Sequence, residues 1–270
     1  MSRITVENLA CGYKGKVVRK DLNFCVDSGE ILCILGPNGI GKTTLFKTMM
    51  GLLPAIEGKV MIDGNDISGW NSRQRAQCFG YVPQSHVPPF SFSVRQVVVM
   101  GRTAHLRASR SPSVQDHAIA ENAMNALNIL DLAERPYTNL SGGERQMVLI
   151  ARALTQEPDF LIMDEPAANL DFGNQAIVLN EVRKLADTGI GIVMTTHTPD
   201  HAFMCDAKTL LIEKDRTTCG PAREVVTGDN LARAYKVNVG ILEGTYEKQQ
   251  IRACVPVLSK SDHVSRDDQC

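Results

Sequence analysis

The run Gly36-Pro37-Asn38-Gly39-Ile40-Gly41-Lys42-Thr43-Thr44 has the spacing G-x-x-x-x-G-K-T, and each residue type in it has a chemical reason. Glycines let the backbone turn tightly enough for successive N–H groups to point at phosphate oxygens. A helix starting just after the loop adds free N–H donors and the positive end of its dipole. The Lys42 ammonium can reach β- and γ-phosphates, and the Thr43 hydroxyl can ligate Mg²⁺. A nucleoside triphosphate suits this chemistry. A second helix start, Leu140-Ser141-Gly142-Gly143-Glu144-Arg145-Gln146, pairs Ser141 with Glu144 in the pattern of a capping box, which alone accounts for those two residues. The paired glycines are not needed for a cap. They predict that the backbone approaches something closely there, and a helix start preceded by Ser-Gly-Gly is a second anion site.

Two acids follow an apolar run, Phe160-Leu161-Ile162-Met163-Asp164-Glu165. Side chains alternate along a strand, so the two carboxylates are expected on opposite faces at the carboxyl edge of a parallel sheet, where ligands of such sheets sit. Asp164 would hold Mg²⁺, and Glu165 would polarise the attacking water. His197 ends another apolar strand, Ile190 to Thr196, and is expected at the same edge, within reach of a γ-phosphate or the water.

The elements that must position these groups are legible. Ile31 to Leu35 reads as a strand covered on both faces, typical of a parallel sheet, and the helix after the loop runs to about Met50. Residues 3 to 9, 22 to 26 and Val60 to Ile62 alternate as half-buried antiparallel strands, the last before an Asp63-Gly64 turn. Cys11 to Gly15 reads as a turn carrying an exposed aromatic, Tyr13. After a short strand at Tyr81 to Gln84, Ser85 to Ser93 reads as loop. Val94 to Arg107 and Asp116 to Leu130 read as helices of a subdomain inserted at about 85–155. Arg95, Arg102, His105, Arg107 and Arg110 give it a basic start, read equally as a solvated face or a docking surface. Lys208 to Glu213 reads as a strand, Pro221 to Tyr235 as two short helices, and Ala253 to Leu258 as an edge strand. The tail beyond Ser259 reads as mobile.

Composition excludes several classes. A net charge of −1 and an isoelectric point near 6.6 leave no broad basic footprint, so nucleic acid is not an expected partner. Apolar runs of about five residues are far short of the roughly 20 that cross a bilayer. The start, MSRITVENLA, lacks the apolar core of a signal peptide, which makes the cytoplasm the default. Eight cysteines form no CxxC pair or His-spaced cluster, arguing against a zinc site or a disulfide framework, and Cys25 and Cys33 are expected in the core.

The order of these motifs resembles the nucleotide-binding subunits of ATP-binding cassette (ABC) transporters, over about residues 3 to 242. Gly36 to Thr43 match Walker A, Leu140 to Gln146 the LSGGQ-type signature with Glu144 at its variable position, and Phe160 to Asp164 Walker B. Glu165 matches the catalytic glutamate, Gln84 the Q-loop glutamine, Asp171 the D-loop aspartate, His197 the switch histidine and Tyr13 the aromatic that stacks on adenine. Ile40 and the Ala167-Ala168 pair depart from the usual residues but remove no catalytic group.

The resemblance implies an α/β fold: a P-loop NTPase (RecA-like) core with an N-terminal antiparallel β subdomain and an inserted helical subdomain. The ATPase domain would span 1–242 and a partly mobile extension 243–270. It implies ATP and Mg²⁺, with Thr43, Gln84 and Asp164 around the metal. Lys42, Gln84, Glu165 and His197 would act in hydrolysis, Ser141 and Gly143 would contact the γ-phosphate held by a second copy in a head-to-tail dimer, and Gly142 and Asp171 would also bind nucleotide. The other implied partners are membrane permease subunits at the cytoplasmic face of the cell membrane and, indirectly, a substrate-binding protein.

The segments PFSFSVRQVVVMGRTAHL and VVTGDNLARAYKVNV look most like importer ATPases for iron–siderophore, haem, cobalamin and molybdate-type cargo. The other class considered is a soluble ABC ATPase of repair, translation or cluster assembly. Repair members insert long coiled coils where only 99 residues separate Lys42 from Ser141 here, translation members carry two cassettes per chain, and a P-loop kinase or GTPase leaves LSGGERQ unexplained.

Overall fold

Apolar periodicity and turn chemistry dictate three sheets and nine α-helices among the residues described, 2–13, 15–84, 91–106 and 110–258, in a computed structural model of the chain. In chain order the strands are β1 (Arg3–Tyr13), β2 (Lys16–Asp27), β3 (Ile31–Leu35), β4 (Glu57–Ile62), β5 (Asn65–Asp66), β6 (Phe79–Val82), β7 (Phe160–Met163), β8 (Gly191–Thr196), β9 (Lys208–Ile212), β10 (Thr217–Pro221), β11 (Asn238–Tyr246) and β12 (Gln249–Val257). The helices are α1 (Lys42–Met49), α2 (Ser72–Cys78), α3 (Val94–Val99), α4 (Val114–Ala126), α5 (Gly142–Leu154), α6 (Phe172–Asp187), α7 (Asp200–Met204), α8 (Ala222–Val225) and α9 (Gly228–Tyr235).

The central sheet has the order β10-β9-β3-β8-β7-β6. Its strands from β9 to β6 are parallel, and β10 is an antiparallel edge. Every residue of β3, β7 and β8 is buried, the pattern of strands covered on both faces. One face packs against α1 and the antiparallel sheet β2-β1-β4-β5. The other packs against α5, α6 and the helices between β6 and β7. The α/β fold expected from the motifs is the one found, with its antiparallel layer and its helical insertion.

Local differences have physical causes. β1 continues through Cys11, fully buried, so the expected turn begins only beyond Tyr13; Lys14 lies outside the described residues. α3 stops at Val99 and tightens into a 3₁₀ segment, Met100–Ala104, that turns Arg102 inward; Arg107 and residues 85–90 also lie outside the description. α4 starts two residues before Asp116, because Ser113 is its N-cap and Asp116 its box partner, and it ends before Asn128, whose φ is 54°.

Three of the basic residues at the start of the insertion make contacts within the chain, while Arg110 is exposed. Arg102 is buried, donating to Asp116 (2.9 Å), Glu157 (2.7 Å) and the Thr155 carbonyl (2.6 Å). Arg95 pairs with Glu121 and Glu134, and His105 Nε2 meets the Gln156 carbonyl. Cys33 is core as expected. Cys25 is only half-buried, because its position on β2 leaves the sulfur beside Arg3 Nη2 (3.2 Å) and Lys208 Nζ (3.6 Å). Ala253 to Leu258 does not extend the central sheet. It falls largely in β12, which pairs with β11 in a separate hairpin crossing residue 242. The tail from 259 lies outside the description.

Candidate functional site

β3 runs into the glycine loop at the carboxyl end of the parallel strands, and α1 begins directly after it. Gly41 is the N-cap of α1 at φ 110°, a conformation glycine reaches without strain, and it offers no side chain to the helix. The first N–H groups of α1 are therefore left for a ligand. Arg19 on β2 braces the loop, donating from Nε to the Ile40 carbonyl (2.6 Å) and from Nη1 to the carbonyls of Glu213 (3.0 Å) and Lys214 (2.6 Å). Asn38 and Thr43 are exposed, whereas Thr44 is buried, its carbonyl accepting from Thr48 Oγ1 (3.0 Å).

The Lys42 ammonium is buried and donates to the Gly36 (2.7 Å) and Pro37 (3.2 Å) carbonyls, 3.8 Å from Glu165 Oε1. Burial lowers its pKa, while the Glu165 and Asp164 carboxylates pull the other way. Two main-chain carbonyls thus take the bonds that phosphate oxygens would take.

β7 stops at Met163, so strand alternation is not what separates the two acids. Glu165 has left the strand with φ 49°. Thr195 on β8 fixes both: its Oγ1 donates to Asp164 Oδ1 (2.7 Å) and accepts from the Glu165 N–H (2.9 Å). Around the Glu165 carboxylate gather Gln84 Nε2 (3.1 Å to Oε2), His197 Nδ1 (3.2 Å to Oε2) and Lys42. Three groups singled out from three separate stretches of sequence therefore meet at the carboxylate of a fourth.

The remaining candidates stand apart. Tyr13 is half exposed at the end of β1, and no hydrogen bond or ion pair joins it to the Glu165 cluster. Ser141 caps α5 as expected: the Glu144 N–H donates to Ser141 Oγ (3.3 Å) and the Ser141 N–H to Glu144 Oε2 (2.7 Å), with Arg135 on the other oxygen (3.0 Å). These bonds, the main-chain one first, hold the Glu144 carboxyl below its ordinary pKa.

The close approach predicted by Gly142 and Gly143 is made to this chain's own side chains. A Cβ at Gly143 would lie 2.4 Å from Asn174 Oδ1, and one at Gly142 3.1 Å from Leu170 Cδ2. Asp171 N-caps α6 and binds Asn174 twice, through N–H and Nδ2, both at 2.8 Å.

Thr195 and Arg19 escaped the sequence reading. Thr195 had a signal, one of two hydroxyls that close an apolar strand just before His197. Arg19 had none, since a lone arginine in an alternating strand looks solvated.

A family model described as ABC transporter matches residues 19–168. An uncharacterized ABC transporter ATP-binding protein of Haemophilus influenzae is 40% identical over 240 residues, covering 88% of this chain and 91% of the relative. The molybdate import ATP-binding protein MolC of the same organism is 35% identical over 256 residues, covering 94% and 96%. A solved structure described as an inward-facing conformation of a metal-chelate type ABC transporter matches with a TM-score of 0.86 at 34% identity, covering 95% of this chain and 98% of that one.

Proposed function

This chain belongs to the ABC transporter family as an ATP-binding, ATP-hydrolysing subunit, and from that premise we propose that it powers uptake of a metal complex or metal oxyanion through a separate membrane permease. MolC, named for molybdate import, and the metal-chelate type transporter support that cargo class. No helix among the described residues is long and apolar enough to cross a membrane, in keeping with a peripheral subunit docked at the cytoplasmic face of the cell membrane.

The observation that carries the assignment of roles is the convergence of Lys42, Gln84 and His197 on Glu165 beside an uncapped helix start. The triphosphate lies along the glycine loop, and Lys42 exchanges the Gly36 and Pro37 carbonyls for phosphate oxygens. Glu165 then accepts a hydrogen bond from the attacking water, with Gln84 and His197 orienting the carboxylate and the γ-phosphate. Thr195 holds Asp164 and Glu165 in fixed relation while this happens.

The residues present fit Mg²⁺ shared with a nucleotide. Thr43 is exposed, and no described residue engages the second Asp164 oxygen or the Gln84 carbonyl. No three His, Cys, Asp or Glu residues gather into a cage among the described residues, as suits an ion that keeps waters and takes phosphate oxygens. When bound it supplies charge neutralisation at the β- and γ-phosphates. Tyr13 would stack on adenine. Ser141, Gly142, Gly143 and Asp171, remote from Lys42 in hydrogen bonding, would complete the site of a second copy related head to tail.

Glu165→Gln tests the reading. It retains ATP binding, lowers turnover by about 10³-fold and accumulates an ATP-bound dimer, read by phosphate release and sedimentation; undiminished hydrolysis removes Glu165 from its role. Cargo and partners are read from the intact membrane complex, whose ATPase rises with its ligand-loaded binding protein.

A further inference from the structure

The hairpin β11–β12 presents two unlike faces. Its inner face is seated on the core: Val239, Ile241 and Cys254 pack against the main apolar cluster, and the Cys254 N–H donates to Asp200 Oδ1 (2.7 Å), three residues past His197. Arg252 on that face pairs with Glu243 (2.7 Å), donates to the Arg223 carbonyl (3.2 Å) and lies over the Phe203 ring. The outer face follows from alternation in the observed register, Gly240 opposite Val255, Leu242 opposite Ala253, Gly244 opposite Ile251 and Tyr246 opposite Gln249. None of these residues is charged. The large apolar ones are open to solvent, from 41% exposure at Val255 to 65% at Tyr246, and Leu258 continues the patch at 84%.

We propose that this face packs against the same face of a second copy of the chain, about a twofold axis, tethering two cassettes beside their nucleotide sites. It rests on the reading that two copies act together. An isologous interface sets each residue near the axis against itself, so charges there repel and an uncharged apolar face complements itself. Gly244 lies between Leu242 and Tyr246, and Gly240 on the other side of Leu242, so large and small residues alternate along β11 on this face. Five or six half-exposed large side chains bury about 500 Å² per copy, about 1,000 Å² in all, the lower bound for a specific interface. That area suits a tether working beside another contact. The anchor at Asp200 ties the tether to the strand end that bears His197.

The experiment uses the full chain carrying Glu165→Gln, with ATP and Mg²⁺, in sedimentation velocity. Adding Leu242→Asp and Val255→Asp is expected to raise the dimer dissociation constant at least about tenfold, while Thr245→Asp, on the other face of the hairpin, leaves it unchanged. An unchanged constant in the double variant, or an equal rise with Thr245→Asp, overturns the tether. A second arm places Leu242→Cys in a background with Cys219 and Cys270 replaced by Ser and adds a short bis-maleimide, which is expected to give a covalent dimer. An ATP-bound dimer that does not cross-link sinks the tether alone, whereas no ATP-dependent dimer in any background sinks the head-to-tail reading beneath it.

Discussion

Two helix starts, those of α1 and α5, came out of the sequence as anion sites, and the fold treats them differently. α1 begins on Gly41, with no side-chain cap and no acid in its first turn. α5 begins on Ser141, with a complete capping box and Glu144 in its first turn. A free helix start attracts phosphate through unpartnered N–H groups; a boxed one has spent some of them on its own side chains and placed a carboxylate beside the rest. The first start is a binding site by itself. The second has only the N–H groups of Gly142 and Gly143 left to give, which suits a group that finishes a site assembled elsewhere.

That contrast predicts a graded set of effects. Lys42→Ala should weaken ATP binding by about 10²-fold or more, close to 3 kcal/mol, measured by titration calorimetry; a small loss would mean that the α1 N–H groups alone hold the phosphates. Arg102→Ala breaks the buried cluster that grips Thr155, the C-cap of α5, and should cost about 3 kcal/mol of stability in denaturant unfolding.

The same cluster has a pH signature. The Arg102 guanidinium first, then Ser113, holds the Asp116 carboxyl down at about 2. Its folded pKa lies below the unfolded one, so its stabilisation is complete above about pH 4 and disappears between about 4 and 2. The melting-temperature gap between the native chain and Asp116→Asn should shrink over that window. Gly143→Ala sets a methyl against Asn174 and should cost about 2 kcal/mol, much of it recovered by adding Asn174→Ala. Ser141→Ala should cost about 1 kcal/mol of stability and leave ATP affinity of the single chain unchanged; a loss of affinity would show that α5 serves its own nucleotide and erase the contrast.

Much of the site was legible because its chemistry is local. The glycine loop, the capping box and the acid pair each depend on neighbours within a few residues, and the strands that carry them are buried enough to read as apolar runs. What escaped was tertiary. Thr195 acts only because β8 lies beside β7, and Arg19 only because β2 passes over the loop between β3 and α1. The neighbour of Gly143 was hidden for the same reason: close approach was inferred, but Asn174, which makes it, lies 31 residues on. The insertion's basic residues looked like a surface because sequence shows charge without showing the acids, Asp116 and Glu157, that fold back onto it.

Arg19 has one further consequence. Its guanidinium binds three carbonyls, one in the glycine loop and two in the turn between β9 and β10. The loop's conformational entropy is therefore largely lost on folding and not on ligand arrival, so little affinity is consumed in ordering it. Arg19→Ala would keep every phosphate contact and still bind nucleotide more weakly, with a larger unfavourable entropy, because the loop would have to become rigid and occupied in the same step.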